Sequence, residues 1–74
     1  MFLNRITVNH DVFGGKPCIR DLRFPVSRLL GLLASGETPE SIIESYPYLE
    51  KEDIRAALDY AALLADEQVI DFAS

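Results

Sequence analysis

The period of the apolar positions changes once along the chain, near Val26. Before it, "RITV" (Arg5 to Val8) alternates polar and apolar side chains and contains β-branched residues, the pattern of a short strand. "NHDVFGGKP" is rich in turn formers and reads as a loop. "CIR" and "RF" predict two further short strands around a turn at Asp21-Leu22. Such strands need a helix or another chain to pack on, because an isolated hairpin is marginal in water. From Val26 onward the spacing is helical: Val26, Leu29, Leu30 and Leu33 fall at i, i+3, i+4 and i+7. Gly36 stands where a left-handed C-terminal cap belongs. Thr38-Pro39 then restarts a helix, Thr as N-cap and Pro at the first helical position. Glu40 suits the dipole of its first turn, and Ile42, Ile43 and Tyr46 supply the buried side. Pro47 ends it, and a third, longest helix is predicted from Lys51 to Gln68. The expected fold is mainly α: short N-terminal β segments, then a three-helix, helix-turn-helix-like (homeodomain-like) unit. All 74 residues read as one domain, with an extended arm at 1–25, a helical core at 26–68 and a tail at 69–74. Val69, Ile70 and Phe72 in that tail either extend the last helix or fold back onto it.

The third helix departs from the usual single stripe. Between Ile54 and Ala65 only Arg55 and Asp59 are charged, so apolar side chains run almost round the cylinder. The first two helices can cover one side. A second chain is the expected cover for the other, with Ile54, Ala57, Leu58, Ala61, Leu64 and Ala65 at a homodimer interface. The alternative is a compact monomer whose alanines serve only as good helix formers.

Charge sharpens this picture. The net charge is −5, but residues 1–36 carry five basic against two acidic residues (+3), and residues 37–74 carry two against ten (−8). Two different surfaces, or acids coating exposed helices, would both give this split. The overall acidity argues against a free-standing tight nucleic-acid binder, which needs clustered Lys and Arg. One cysteine makes no internal disulfide and no zinc-type spacing. The N-terminus has no signal-peptide pattern, and no apolar run approaches the roughly 20 residues of a membrane span. A cytoplasmic, membrane-free protein is expected.

Chemistry-bearing patterns are sparse. "GGKP" lacks the P-loop spacing, and Pro17 follows Lys16 where an amide and a hydroxyl are needed. Gly14-Gly15 reads instead as a positive-φ turn, with Pro17 fixing the chain's entry into "CIR". His10, Asp11 and Cys18 are too irregularly spaced for a metal site; Asp11 reads as a turn residue and Cys18 as a small buried group. No residue is placed to orient a Cys-His pair, and no paired carboxylates stand out. No enzymatic role, cofactor, metal or small-molecule substrate is therefore expected. The second and third helices have helix-turn-helix spacing, yet the third opens "EKEDIR", where acids would repel phosphate. The expected nucleic-acid or partner-binding surface is basic and N-terminal: Lys16, Arg20, Arg23 and Arg28.

Taken together, "GGKPCIRDLRFPV", "LLASGETPESIIESYPYL" and "EDIRAALDYAA" resemble the bacterial domain of unknown function 433 family. That family typically shows G-G-K-P-x-I-R-G-T-R-x-x-V, A-x-G-x-[ST]-x-E-x-I, Y-P-x-L and E-D-[IV]-x-A-A-L-x-Y. The likeness covers about Ile6 to Ala62. It implies an antitoxin-like protein related to helix-turn-helix domains, often beside a PIN-like nuclease toxin as in VapB-type systems. Binding and neutralising a protein toxin, and binding to operator DNA as an autoregulator, are the roles it implies; the homodimer is read from the third helix. Two departures matter. Asp21-Leu22 replaces the usual Gly-Thr; Asp tolerates the left-handed region better than most residues, whereas Leu22 removes a hydroxyl. Glu50 stands where Thr or Ser often begins the last helix, a weaker cap by about 1 kcal/mol. "GGKPCIRDLRFPV" thus reads as a rigid connector displaying Lys16, Arg20 and Arg23 on one side. Arg23 is the best candidate for a specific job, pairing with an acid of its own chain or of a partner, with a solvated arginine as the alternative.

Overall fold

Residues 2–66 are described by the computed structural model. A 3₁₀ turn at Leu3–Arg5 leads into strand β1 (Ile6–Val8), which pairs antiparallel with β2 (Pro17–Ile19). The register sets Ile6 opposite Ile19, Thr7 opposite Cys18 and Val8 opposite Pro17. Three helices follow, α1 (Val26–Ala34), α2 (Pro39–Ser45) and α3 (Lys51–Asp66). The architecture is the expected one, a mainly α domain fronted by a short β arm, and the strands pair within one chain. The reading of a tail at 69–74 and of a helix end at Gln68 lies outside the described residues.

The connector differs from expectation in one respect. "CIR" is a strand only through Ile19, and "RF" is not a strand; the second half of the hairpin is reduced to one bridge between Cys18 and Pro25. Arg20, Asp21 and Arg23 take φ of 45°, 61° and 58°. These left-handed residues curl the chain into a tight loop, closed by the Leu22 amide on the Ile19 carbonyl and the Ile19 amide on the Phe24 carbonyl. The curl turns Phe24 into the core, where its ring meets Tyr46 edge-on with centroids 5.1 Å apart. Asp21 does occupy a left-handed position, as expected of it, and Leu22 packs against the core. Gly14 and Gly15 also have positive φ, so the glycine pair turns the chain before β2.

Helix ends follow the local chemistry. Gly36 at φ 102° completes a Schellman closure of α1: its own amide reaches the Leu33 carbonyl and the Glu37 amide reaches Leu32. The Thr38 hydroxyl accepts from the Ser41 amide while the Ser41 hydroxyl accepts from the Thr38 amide, a reciprocal cap with Pro39 at the first position. The core gathers Ile19, Phe24, Val26, Leu29, Ile42, Leu49, Ile54 and Ala57, with Ile6, Leu22, Leu30, Leu33, Ile43 and Tyr46 around it. α3 packs on α1, on α2 and on the Leu3–Arg5 turn.

Candidate functional site

The start of α3 holds the densest polar arrangement among the described residues. Asp53 is fully buried, at the third position of the helix. Its Oδ2 accepts the Glu50 amide at 2.8 Å, the half of a capping box in which the third helical residue reaches back to the residue before the helix. Arg20 grips the same carboxylate with two bonds, Nε to Oδ1 at 2.8 Å and Nη2 to Oδ2 at 2.7 Å. A paired approach of this kind fits the planar guanidinium. Arg5 adds a bond from Nη1 to Oδ1 at 2.9 Å and another to Glu50 Oε1 at 2.7 Å. Arg20 also donates to the Tyr48 carbonyl at 3.0 Å. Burial by itself would raise the Asp53 pKa. The bonds from Arg20, from the Glu50 amide and from Arg5 outweigh it, holding the carboxyl below its ordinary value. The effect is a clasp: one buried acid ties together the 3₁₀ turn, the loop after β2 and the first turn of α3.

This clasp corrects the expected basic surface. Arg20 is not displayed with Lys16 and Arg23; it is turned inward on Asp53. Arg23, favoured for an ion pair, makes none among the described residues and is exposed. Arg28 is exposed but lies over Phe24 and Tyr46, 5.3 and 5.4 Å from their ring centres, and donates to the Tyr46 hydroxyl. Lys16 is exposed. Arg5 was missed because nothing in "NRITV" distinguishes it from a solvated strand-edge arginine. The one available signal was Asp53 itself, an acid whose neighbours at i+3 and i+4, Ala56 and Ala57, are apolar.

The second feature is the surface of α3. Ile54 and Ala57 belong to the chain's own core and not to an interface, because α1 and α2 cover that face. Ala61 is half-buried, while Leu58, Leu64 and Ala65 are exposed, as is Leu63, which the apolar pattern did not single out. Leu58, Leu63 and Leu64 leave 46%, 41% and 44% of their surface open. Leu64 and Tyr60 continue the buried face beyond α1 and, with Pro17, Val26 and Leu30, line a shallow groove of about 360 Å³ with Lys16 at its rim. Cys18 is buried, its Sγ 3.4 Å from the Lys16 carbonyl, and the Asp11 amide bonds the Asn9 side chain in a turn. Among the described residues no three His, Cys, Asp or Glu side chains are grouped so as to hold a metal ion, and no helix is long and apolar enough to cross a membrane.

Fold and site together define a small mainly α domain with a clasped β arm and an incompletely covered last helix. The chain belongs to the DUF433 family, described as proteins of unknown function, whose family model matches residues 6–61. It is 38% identical over 56 residues to the uncharacterized protein y4eO of Sinorhizobium fredii (strain NBRC 101917 / NGR234), covering 76% of this chain and 25% of that protein. It also resembles the crystal structure of a DUF433 member from Anabaena variabilis ATCC 29413, with a TM-score of 0.78 and 31% identity, over 86% of this chain and 63% of that one. The chain therefore spans about a quarter of the curated relative and less than two thirds of the crystallised one.

Proposed function

We propose that the chain is a non-enzymatic protein-interaction module of antitoxin type, a homodimer that binds and neutralises a PIN-like nuclease toxin. One observation carries this reading: α3 outruns the domain that covers it. Its 16 residues rise about 24 Å, against about 14 Å for the nine of α1. Beyond Ala61 every described residue of α3 is exposed, leucines included. Exposed apolar surface concentrated on one element supports a docking role. Because Leu64 and Leu63 point to different sides of the helix, the overhang offers two apolar faces, one for a second copy and one for a different protein. The groove at Leu30, Tyr60 and Leu64 is the face assigned to the toxin. Co-expression with the product of a neighbouring nuclease gene tests this. The expected outcome is co-purification and rescue of growth, both lost with Leu64→Lys, an exposed position whose change spares the core. No complex and no rescue with the native chain would overturn the reading.

Binding to operator DNA is the second reading, and one feature favours it. Glu50 and Asp53, two of the acids that open α3, are bonded inward by Arg5 and Arg20, which lessens the repulsion expected there. Lys51 and Arg55 are exposed on the same helix, together with Glu52. Phosphate contact makes affinity fall steeply with salt. Failure to bind an operator fragment even at low salt would remove this role.

A further inference from the structure

We infer that two copies of this chain pair through the outward stripe of α3, antiparallel, with Arg55 of one copy set against Asp66 of the other. The inference rests on the reading of the chain as a self-associating module and specifies the face and register of that association. At 100° per residue, Arg55, Leu58, Ala62, Leu63 and Asp66 lie on one side of the helix, spaced i, i+3, i+7, i+8 and i+11. All five are exposed. Leu64 and Tyr60 lie on the opposite side, over the groove.

The stripe is its own complement when reversed. A two-fold pairing needs the same patch on both copies, with each residue i meeting j and each j meeting i. If Arg55 faces Asp66 of the second copy, an antiparallel register brings Leu58 near Leu58 of the second copy along one edge of the contact and Leu63 near Leu63 along the other. The charged contact then occurs twice, once on each side of the axis, and each leucine meets its own copy across it. Ala62 falls close to the axis, where a small side chain lets two helices approach. A parallel pairing in register would instead set Arg55 on Arg55 and Asp66 on Asp66. Asp59, which lies within the stripe between Asp66 and Leu63, is already engaged: it accepts the Phe2 amide at 3.2 Å and lies 3.7 Å from Arg55 Nε. Arg55 is 67% exposed in its side chain, so its guanidinium can swing from Asp59 to a partner without unpacking anything.

Charge reversal on the full chain tests the register. Sedimentation equilibrium would be run on the native protein, on Arg55→Glu and on Asp66→Arg, with circular dichroism as the folding control. Each single change is expected to weaken self-association by about tenfold or more, since like charges would then face each other. An equimolar mixture of the two variants should regain native association, because each mismatch then meets its complement. Native dimers that tolerate both single changes, or a mixture that does not recover, would overturn this register and leave the homodimer reading standing. A native protein that stays monomeric would overturn both.

Discussion

Replacing Asp53 by alanine would take the shared acceptor from two partly exposed guanidinium groups and from the Glu50 amide. Because both guanidiniums reach solvent, the loss falls mainly on the tie between the β arm and α3, and Asp53→Ala should lower the urea midpoint of the native chain. The sign of the pH dependence follows from the lowered carboxyl pKa. The ionised form is favoured more in the folded chain than in the unfolded one. Its stabilisation is complete above the ordinary carboxylate range and is lost as pH falls through the folded value. Urea titrations between about pH 6 and pH 3 should show this acid-side loss in the native chain and a flatter profile in Asp53→Asn. Equal slopes would mean the clasp does not act through the Asp53 charge. Asp21 offers a milder test. At φ 61° with an exposed side chain it bears a backbone cost that glycine lacks. Asp21→Gly should leave the thermal midpoint unchanged or raise it, by up to about 1 kcal/mol of stability.

At the scale of the elements, local chemistry and tertiary chemistry separate cleanly. Gly36 and the Thr38-Pro39 helix start act within a few residues, and both were legible from sequence because their partners are neighbours in the chain; the returning bond from the Thr38 amide to the Ser41 hydroxyl was not singled out. Gly36→Ala meets no steric obstacle but must hold φ 102°, so about 1 kcal/mol of stability should be lost. Thr38→Ala should cost a similar amount, about 1 kcal/mol, and the two losses are measurable by thermal unfolding. The helices were legible for the same reason, since their apolar spacing is a local repeat. The clasp was not. Arg20 and Arg23 flank Asp21-Leu22, and both are arginines in left-handed backbone. Nothing in the chain says which of them turns inward. That choice is made by Asp53, 33 residues away, and by Arg5, 48 residues from the same carboxylate. Likewise "RF" resembled a strand because its composition suits one, yet Phe24 is worth more in the core beside Tyr46 than paired at a sheet edge.

For the whole molecule, the two ends of α3 do different things. Its first half is committed inward, with Ile54, Ala56 and Ala57 buried and Asp53 holding the β arm. Its second half presents leucines to solvent on two sides. The doubly apolar helix expected from sequence is therefore real, but only Leu58 and the last turns are open; Ile54 and Ala57 were assigned to the wrong partner because composition cannot tell where the first two helices stop. The charge split has a similar resolution, in that part of the basic N-terminal excess neutralises acids of the C-terminal half inside one chain. What the domain leaves uncovered is an acidic, leucine-bearing overhang. Sedimentation equilibrium of the native chain over a wide concentration range is the most direct measurement of whether that overhang has a partner in its own kind. A mass that rises toward twice 8.3 kDa with concentration is expected. A mass that stays at one chain up to the highest concentrations would contradict it.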